Sequence, residues 1–260
     1  MALSMTQIVL AIVAGSGVGF SLGLVGGGGS ILAVPLLVYL VGVDNPHVAI
    51  GTSAVAVAVN AAANLAMHAR GGAVKWRCAG VFAAAGIAGA FLGSTLGKLM
   101  DGQKLLALFA VLMMVVGMLM LKDRGRAGDP NVRLSTENLP KLVGFGLAAG
   151  LLSGFFGIGG GFLIVPSLIL AAGMPILNAV ASSLVSVTAF GLTTAGNYAW
   201  SGLVDWYLAA IFIGGGLLGG LLGAWAAKSL AKRRGALTVI FVALIFAVAI
   251  YMLVRSLNLI

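Results

Sequence analysis

Charge is scarce in this chain: 8% of its 260 residues are Asp, Glu, Lys or Arg, where a soluble domain carries roughly 25%. With 61% hydrophobic residues, it cannot cover itself with polar surface. Acidic side chains are the scarcest, six Asp and Glu against fifteen Lys and Arg. The resulting net charge of +9 does not point to nucleic acid, because the basic residues sit at the ends of apolar stretches and form no folded basic domain. They read as topology signals. A single cysteine, Cys78, excludes an internal disulfide and any cysteine-based metal cluster. Ahead of the first apolar stretch, MALSMTQ has no Lys or Arg, so a cleavable signal peptide is not expected.

What is present is length of apolar run. A helix needs about 20 apolar residues to cross the hydrocarbon core, and the chain offers several such stretches separated by short charged ones. Lipid is therefore the expected solvent.

The chain also contains itself twice. GLVGGGGSILAVP, ending at Pro35, matches GFFGIGGGFLIVP, ending at Pro166, at an offset of 131. Trp76 matches Trp206 and Gly93 matches Gly223, both at 130, so one indel separates the anchors. Residues 1–121 form the first repeat, 142–260 the second, and the charged, Gly- and Pro-containing stretch 122–141 a solvent-exposed linker. Each repeat divides into four apolar segments, near 7–42, 48–67, 78–96 and 105–121, then 142–173, 176–200, 206–227 and 236–253. The opening segment of each is longer than one crossing and broken by glycines with Pro soon after, so it reads as two half-helices joined by a loop.

Those half-helices could form one broken crossing or a re-entrant hairpin. Broken crossings divide the Lys and Arg residues nine against six; hairpins divide them twelve against three, with the linker on the basic side. Because basic loops stay cytoplasmic, the hairpin topology is preferred. The expected fold is an all-α polytopic membrane bundle of two inverted repeats, each with a Gly-interrupted re-entrant hairpin plus three transmembrane helices, and a cytoplasmic linker. Inverted repeats are a recurrent transporter plan.

The glycine runs Gly26 to Gly29 and Gly157 to Gly161 each lead into an apolar half-helix. A helix N-terminus offers unpaired N–H groups and partial positive charge, and glycine lets those donors approach an anion. One such loop would be read as close packing. Two in matching positions favour a binding role, since irregular backbone at membrane depth must line a cavity or be buried.

On the following segment Ser53, Asn60 and Asn64 recur on one helical stripe, with Thr52 beside its start; the equivalent segment carries Ser182, Ser183, Ser186, Thr194 and Asn197. Bonding to neighbouring helices explains any single member equally well. Gly89, Gly93 and Gly97, like Gly215, Gly219 and Gly223, are spaced by four and are assigned to close helix packing. Trp76 and Trp206 are interfacial anchors, and Asp44 and Asp205 are read as solvated boundary residues. His68 ends its segment, where a boundary role outweighs a proton relay.

No carboxylate or basic residue lies well inside an apolar segment, which disfavours a cation site. An anion leaving an inside-negative cell gains about 2.3 kcal/mol per charge per 100 mV, so export needs no proton-binding carboxylate. Enzymatic chemistry finds no support: His68 has no Ser or Asp constellation around it and GxSG is absent. GSGVGF near Gly15 mimics half a dinucleotide fingerprint but lies in a membrane segment.

Together GLVGGGGSILAVP, AIGTS at Ala49 to Ser53, GFFGIGGGFLIVP and ASS at Ala181 to Ser183 resemble the TauE/SafE family of membrane transporters over nearly the whole chain. The resemblance implies a bacterial plasma-membrane protein that moves sulfite, sulfoacetate or a related sulfonate, usually outward. The family's glycine motifs fall on Gly26, Gly28, Gly29 and Ser30, and on Gly157, Gly159, Gly160 and Gly161; Ile158 stands where the first loop has Gly27, so the loops are not chemically identical. The expected site lies between the glycine loops, with Thr52, Ser53, Asn60, Asn64, Ser182, Ser183, Ser186, Thr194 and Asn197 supplying donors to a small anion. No cofactor is expected, and the partners are the substrate and the bilayer, with a homo-oligomer left open. Proton-coupled uptake through His68, and a membrane partner protein that transports nothing, stay open as alternatives.

Overall fold

The computed structural model describes residues 3–122, 132–157, 161–229 and 245–255, and these contain helices and connections with no strand. In order, α1 is Met5–Val25; a 3-10 stretch Gly26–Leu32 then runs through a single turn, α2, Ala33–Pro35, into a π turn Leu36–Leu40. Next come α3 Pro46–Ala69, α4 Trp76–Leu99, α5 Gly102–Lys122, α6 Leu139–Phe156, α7 Gly161–Ala172, α8 Ile176–Trp200 and α9 Trp206–Ser229. A last helix, α10, covers Ile245–Arg255; the earlier part of the expected eighth segment lies outside the described residues. Among the described residues six helices, α1, α3, α4, α6, α8 and α9, are long and apolar enough to cross a membrane. Of the linker 122–141, Lys122 ends α5 and Leu139 opens α6.

Local chemistry sets the ends. Asn45 Oδ1 accepts from His47 N at 2.9 Å while Pro46 occupies the first turn of α3, a site where its missing N–H costs nothing. Gly157 closes α6 at φ +69°, a left-handed terminus that suits glycine. The matched prolines act where expected: Pro35 ends the one α turn before the π turn, and Pro166 lies inside α7, in both cases removing a helical N–H donor.

The opening segments are not pairs of half-helices. α1 has 21 residues and α6 has 18, whereas α7 has 12, too few at 1.5 Å per residue for a hydrocarbon core of about 30 Å. The glycine runs fall late in each segment, so a long arm is followed by a short one. Leu36–Leu40 touches α1.

Each opening helix packs on the third segment of the other repeat, α1 along α9 and α6 along α4. The small-residue faces make these contacts. A Cβ on Gly89 or Gly93 would overlap the backbone of Leu147 or Leu151, and a Cβ on Gly219 or Gly223 that of Ser16 or Phe20. With the repeat offsets these are equivalent contacts, in which backbone meets backbone because no side chain intervenes. Outward, Phe91, Leu92 and Leu96 of α4 and Leu218, Leu221 and Leu222 of α9 are all exposed, an apolar surface far larger than water tolerates.

At the centre α3 lies against α8. Gly51, near the start of α3, abuts Tyr198 at the end of α8 and Leu203 just beyond it, and Asn178, near the start of α8, donates to Ala73 O just beyond α3 at 2.7 Å.

Candidate functional site

The first glycine stretch, Gly26–Leu32, packs against α3, α8 and α7, the helix that follows the second motif. Gly26, Gly28 and Gly29 lie in its 3-10 turns, Gly29 and Ser30 are buried, and a Cβ on Gly29 would overlap the α1 backbone at Ser21 and Leu22. In the second motif Gly157 turns the chain against the Ile50 side chain and Gly161 begins α7, buried. Gly159 and Gly160 lie outside the described residues.

The polar stripes divide by symmetry. Thr52 Oγ1 accepts from Asp205 N at 3.0 Å, and its equivalent Ser182 Oγ accepts from Lys75 N at 2.9 Å. Each hydroxyl anchors the connection that leads into the third segment of the other repeat. Ser53 Oγ donates to Ile50 O at 2.9 Å and Ser183 Oγ to Val180 O at 2.8 Å, again equivalent bonds, made within their own helices. Polar residues that both repeats share at these positions therefore already have protein partners.

Further along the two helices lie polar groups that are open. Asn60 is fully buried, and among the described residues neither its Oδ1 nor its Nδ2 has a hydrogen-bond partner; its equivalent in α8 is Phe190. The Asn60 amide faces Gly216 of α9, which has room for it only because glycine lacks a Cβ. Asn64 donates to Asn60 O at 2.8 Å and leaves its Oδ1 open. Ser186 Oγ and Thr194 Oγ1 on α8 are likewise buried and without a partner among the described residues. Such groups are rare in folded proteins and call for a ligand, a water or a specific strain.

Asn197 belongs to another cluster. Its Nδ2 donates to Ser94 Oγ at 2.6 Å and Thr95 Oγ1 at 2.9 Å, while Lys98 Nζ donates to its Oδ1 at 2.7 Å, to its O at 3.0 Å and to Ser201 Oγ at 2.8 Å. These bonds fasten the end of α4 to the end of α8. His47 sits beside them, with Nε2 3.1 Å from Met100 O and its ring 6.3 Å from that of Tyr198. Asp205, read from the sequence as a solvated boundary residue, is half-buried, accepts from Leu208 N at 2.9 Å and caps α9.

Sequence reasoning missed two features. Ser153, buried one turn before Gly157 and without a partner among the described residues, was signalled by a hydroxyl just ahead of the glycine motif. The Lys98 cluster was signalled by a lysine ending a segment that contains Ser94 and Thr95, but its partners lie 99 and 103 residues away.

The family model described as "Sulfite exporter TauE/SafE" matches residues 11–252. The chain belongs to the TauE/SafE family. TauE/SafE membership makes it a membrane transporter. A probable membrane transporter protein of Xylella fastidiosa (strain Temecula1) is 53% identical over 98% of both chains. The probable membrane transporter protein YunE of Bacillus subtilis is 30% identical over 84% of this chain and 86% of its own, and one from Haemophilus influenzae is 29% identical over 89% and 88%. No solved structure matches.

Proposed function

We propose that this TauE/SafE transporter exports a small sulfur-containing anion, sulfite, sulfoacetate or a related sulfonate, across a bacterial plasma membrane. The observation that carries the reading is the Asn60 amide, buried with no partner among the described residues, together with the open hydroxyls of Ser186 and Thr194. A sulfonate or sulfite offers several oxygen acceptors and no donor when ionised, so it suits amide and hydroxyl donors. Hydrogen bonds to a charged group contribute about 1.5–3 kcal/mol each, which uncharged donors can supply without a buried cation. Glycine loops ahead of the short helices would add backbone N–H groups.

The topology we infer is two inverted repeats with re-entrant hairpins. The contact of Leu36–Leu40 with α1 supports it, and so does the apposition of the start of α3 with the end of α8. With the 122–141 linker in the cytoplasm, the membrane potential alone would drive an anion outward.

The test is charge movement in proteoliposomes given sulfite, sulfoacetate, taurine and sulfate, with and without a pH gradient. A current with one or two of these anions, unchanged by the gradient, is expected; a current that requires the gradient would refute potential-driven export.

A further inference from the structure

Beside the start of α4 lies a cavity of about 430 Å³ that has no counterpart in the reading above. Lys75, Arg77 and Arg133 line it, with Trp76, Val132 and Leu134 forming an apolar wall, and no carboxylate is among its lining residues. The cations come from two separate segments, the turn into α4 and the stretch before α6. They converge where Trp76, 55% exposed, marks the depth of the membrane interface.

The second repeat shows what is missing. At the equivalent start of α9, Asp205 Oδ1 accepts from Leu208 N at 2.9 Å. In α4 the matching residue is Lys75, and the helix has no side-chain cap, although Cys78, the match of Leu208, lines the cavity. A cation thus replaces the carboxylate that closes the other copy. Two further cations surround the gap.

We propose that this cavity holds the headgroup phosphate of an anionic phospholipid, its oxygens between Lys75, Arg77 and Arg133 and its glycerol end against Trp76, Val132 and Leu134. The mixed wall favours a lipid over a free anion, because a soluble oxyanion has no use for the apolar half. Clusters of basic residues at a membrane interface bind acidic headgroups in this manner. This site is separate from Asn60 and does not depend on the substrate assigned to it.

Native mass spectrometry of the full chain in neutral detergent, titrated with short-chain phosphatidylglycerol or phosphatidylcholine, tests the proposal. Wild type should retain one phosphatidylglycerol and no phosphatidylcholine. The Arg77→Gln/Arg133→Gln variant should bind phosphatidylglycerol roughly ten- to thirty-fold more weakly, at about 1 kcal/mol per basic residue. Arg77→Lys/Arg133→Lys should recover most of it. If the double glutamine variant does not fold, Arg133→Gln alone, at an exposed side chain, should give about a fivefold loss. Equal retention by wild type and variant would overturn the proposal. So would complete displacement of the lipid by millimolar inorganic phosphate, which would make this a site for soluble oxyanions.

Discussion

Replacing Asn60 by leucine separates binding from packing at one position. The amide is wholly buried and both its polar atoms lack a partner among the described residues, so the empty protein bears its desolvation cost, about 1–3 kcal/mol for an unsatisfied buried group. Leucine has the same branched shape, though larger, and no such cost. Asn60→Leu should therefore melt higher, by about 2–12 °C at the 2–4 °C per kcal/mol typical of chains of this size. The same change removes a donor to the anion, worth about 1.5–3 kcal/mol, so apparent substrate affinity should fall about ten- to hundred-fold. Stability gained at the expense of activity is the usual signature of a strained functional residue. Cys78 supplies the assay, since it is the only cysteine and 1% exposed: a thiol-reactive fluorophore reports its exposure on heating, and proteoliposome currents report transport. A variant that melts at or below the wild-type temperature while transporting normally would refute the argument.

Thr52→Val should cost about 1 kcal/mol by leaving Asp205 N without its 3.0 Å acceptor, and Ser182→Ala should match it at Lys75 N; the melting shifts of the two should agree within error, with substrate affinity unchanged. Gly219→Val forces a side chain into the Ser16 backbone and should abolish folded protein on gel filtration, whereas Gly144→Ala, with nothing within 4 Å of the new Cβ, should leave it unchanged or raise the melting point slightly by about 0.4–1 kcal/mol of chain entropy. Lys98→Met removes three donated bonds at the ends of α4 and α8 and should speed amide hydrogen exchange in residues 94–98 and 197–201 before it alters expression.

The glycines at spacing four announced close helix approach, and Gly89, Gly93, Gly219 and Gly223 do meet neighbouring backbone. Their partners could not be read, because such a stripe specifies how near a second helix comes and not which one. The polar stripes were legible as faces for the same reason: helical period fixes direction. What each hydroxyl bonds depends on residues such as Asp205, 153 positions from Thr52, and no local pattern encodes that. Hence the bonds that Thr52 and Ser182 accept from connecting backbone could not be foreseen, and Asn60 stands out only once its surroundings are known. The uneven arms of the opening segments were hidden because α1 and the short helix after it are equally apolar, and hydropathy does not register where one helix stops and the next begins.

The exchange of opening helices between repeats dictates the order in which the protein can be assembled. α1 leaves the ribosome with its glycine-bearing face complete, but α9, which that face fits, begins about 180 residues later, on the order of ten to forty seconds at ordinary synthesis rates. Through that interval α1 must wait in lipid beside helices of its own repeat, and α4 must wait in the same way for α6. Neither half can finish its own fold. Severed in the linker and made as two chains, the halves should each be incomplete in isolation and should join when they meet in one membrane, each supplying the other's missing wall.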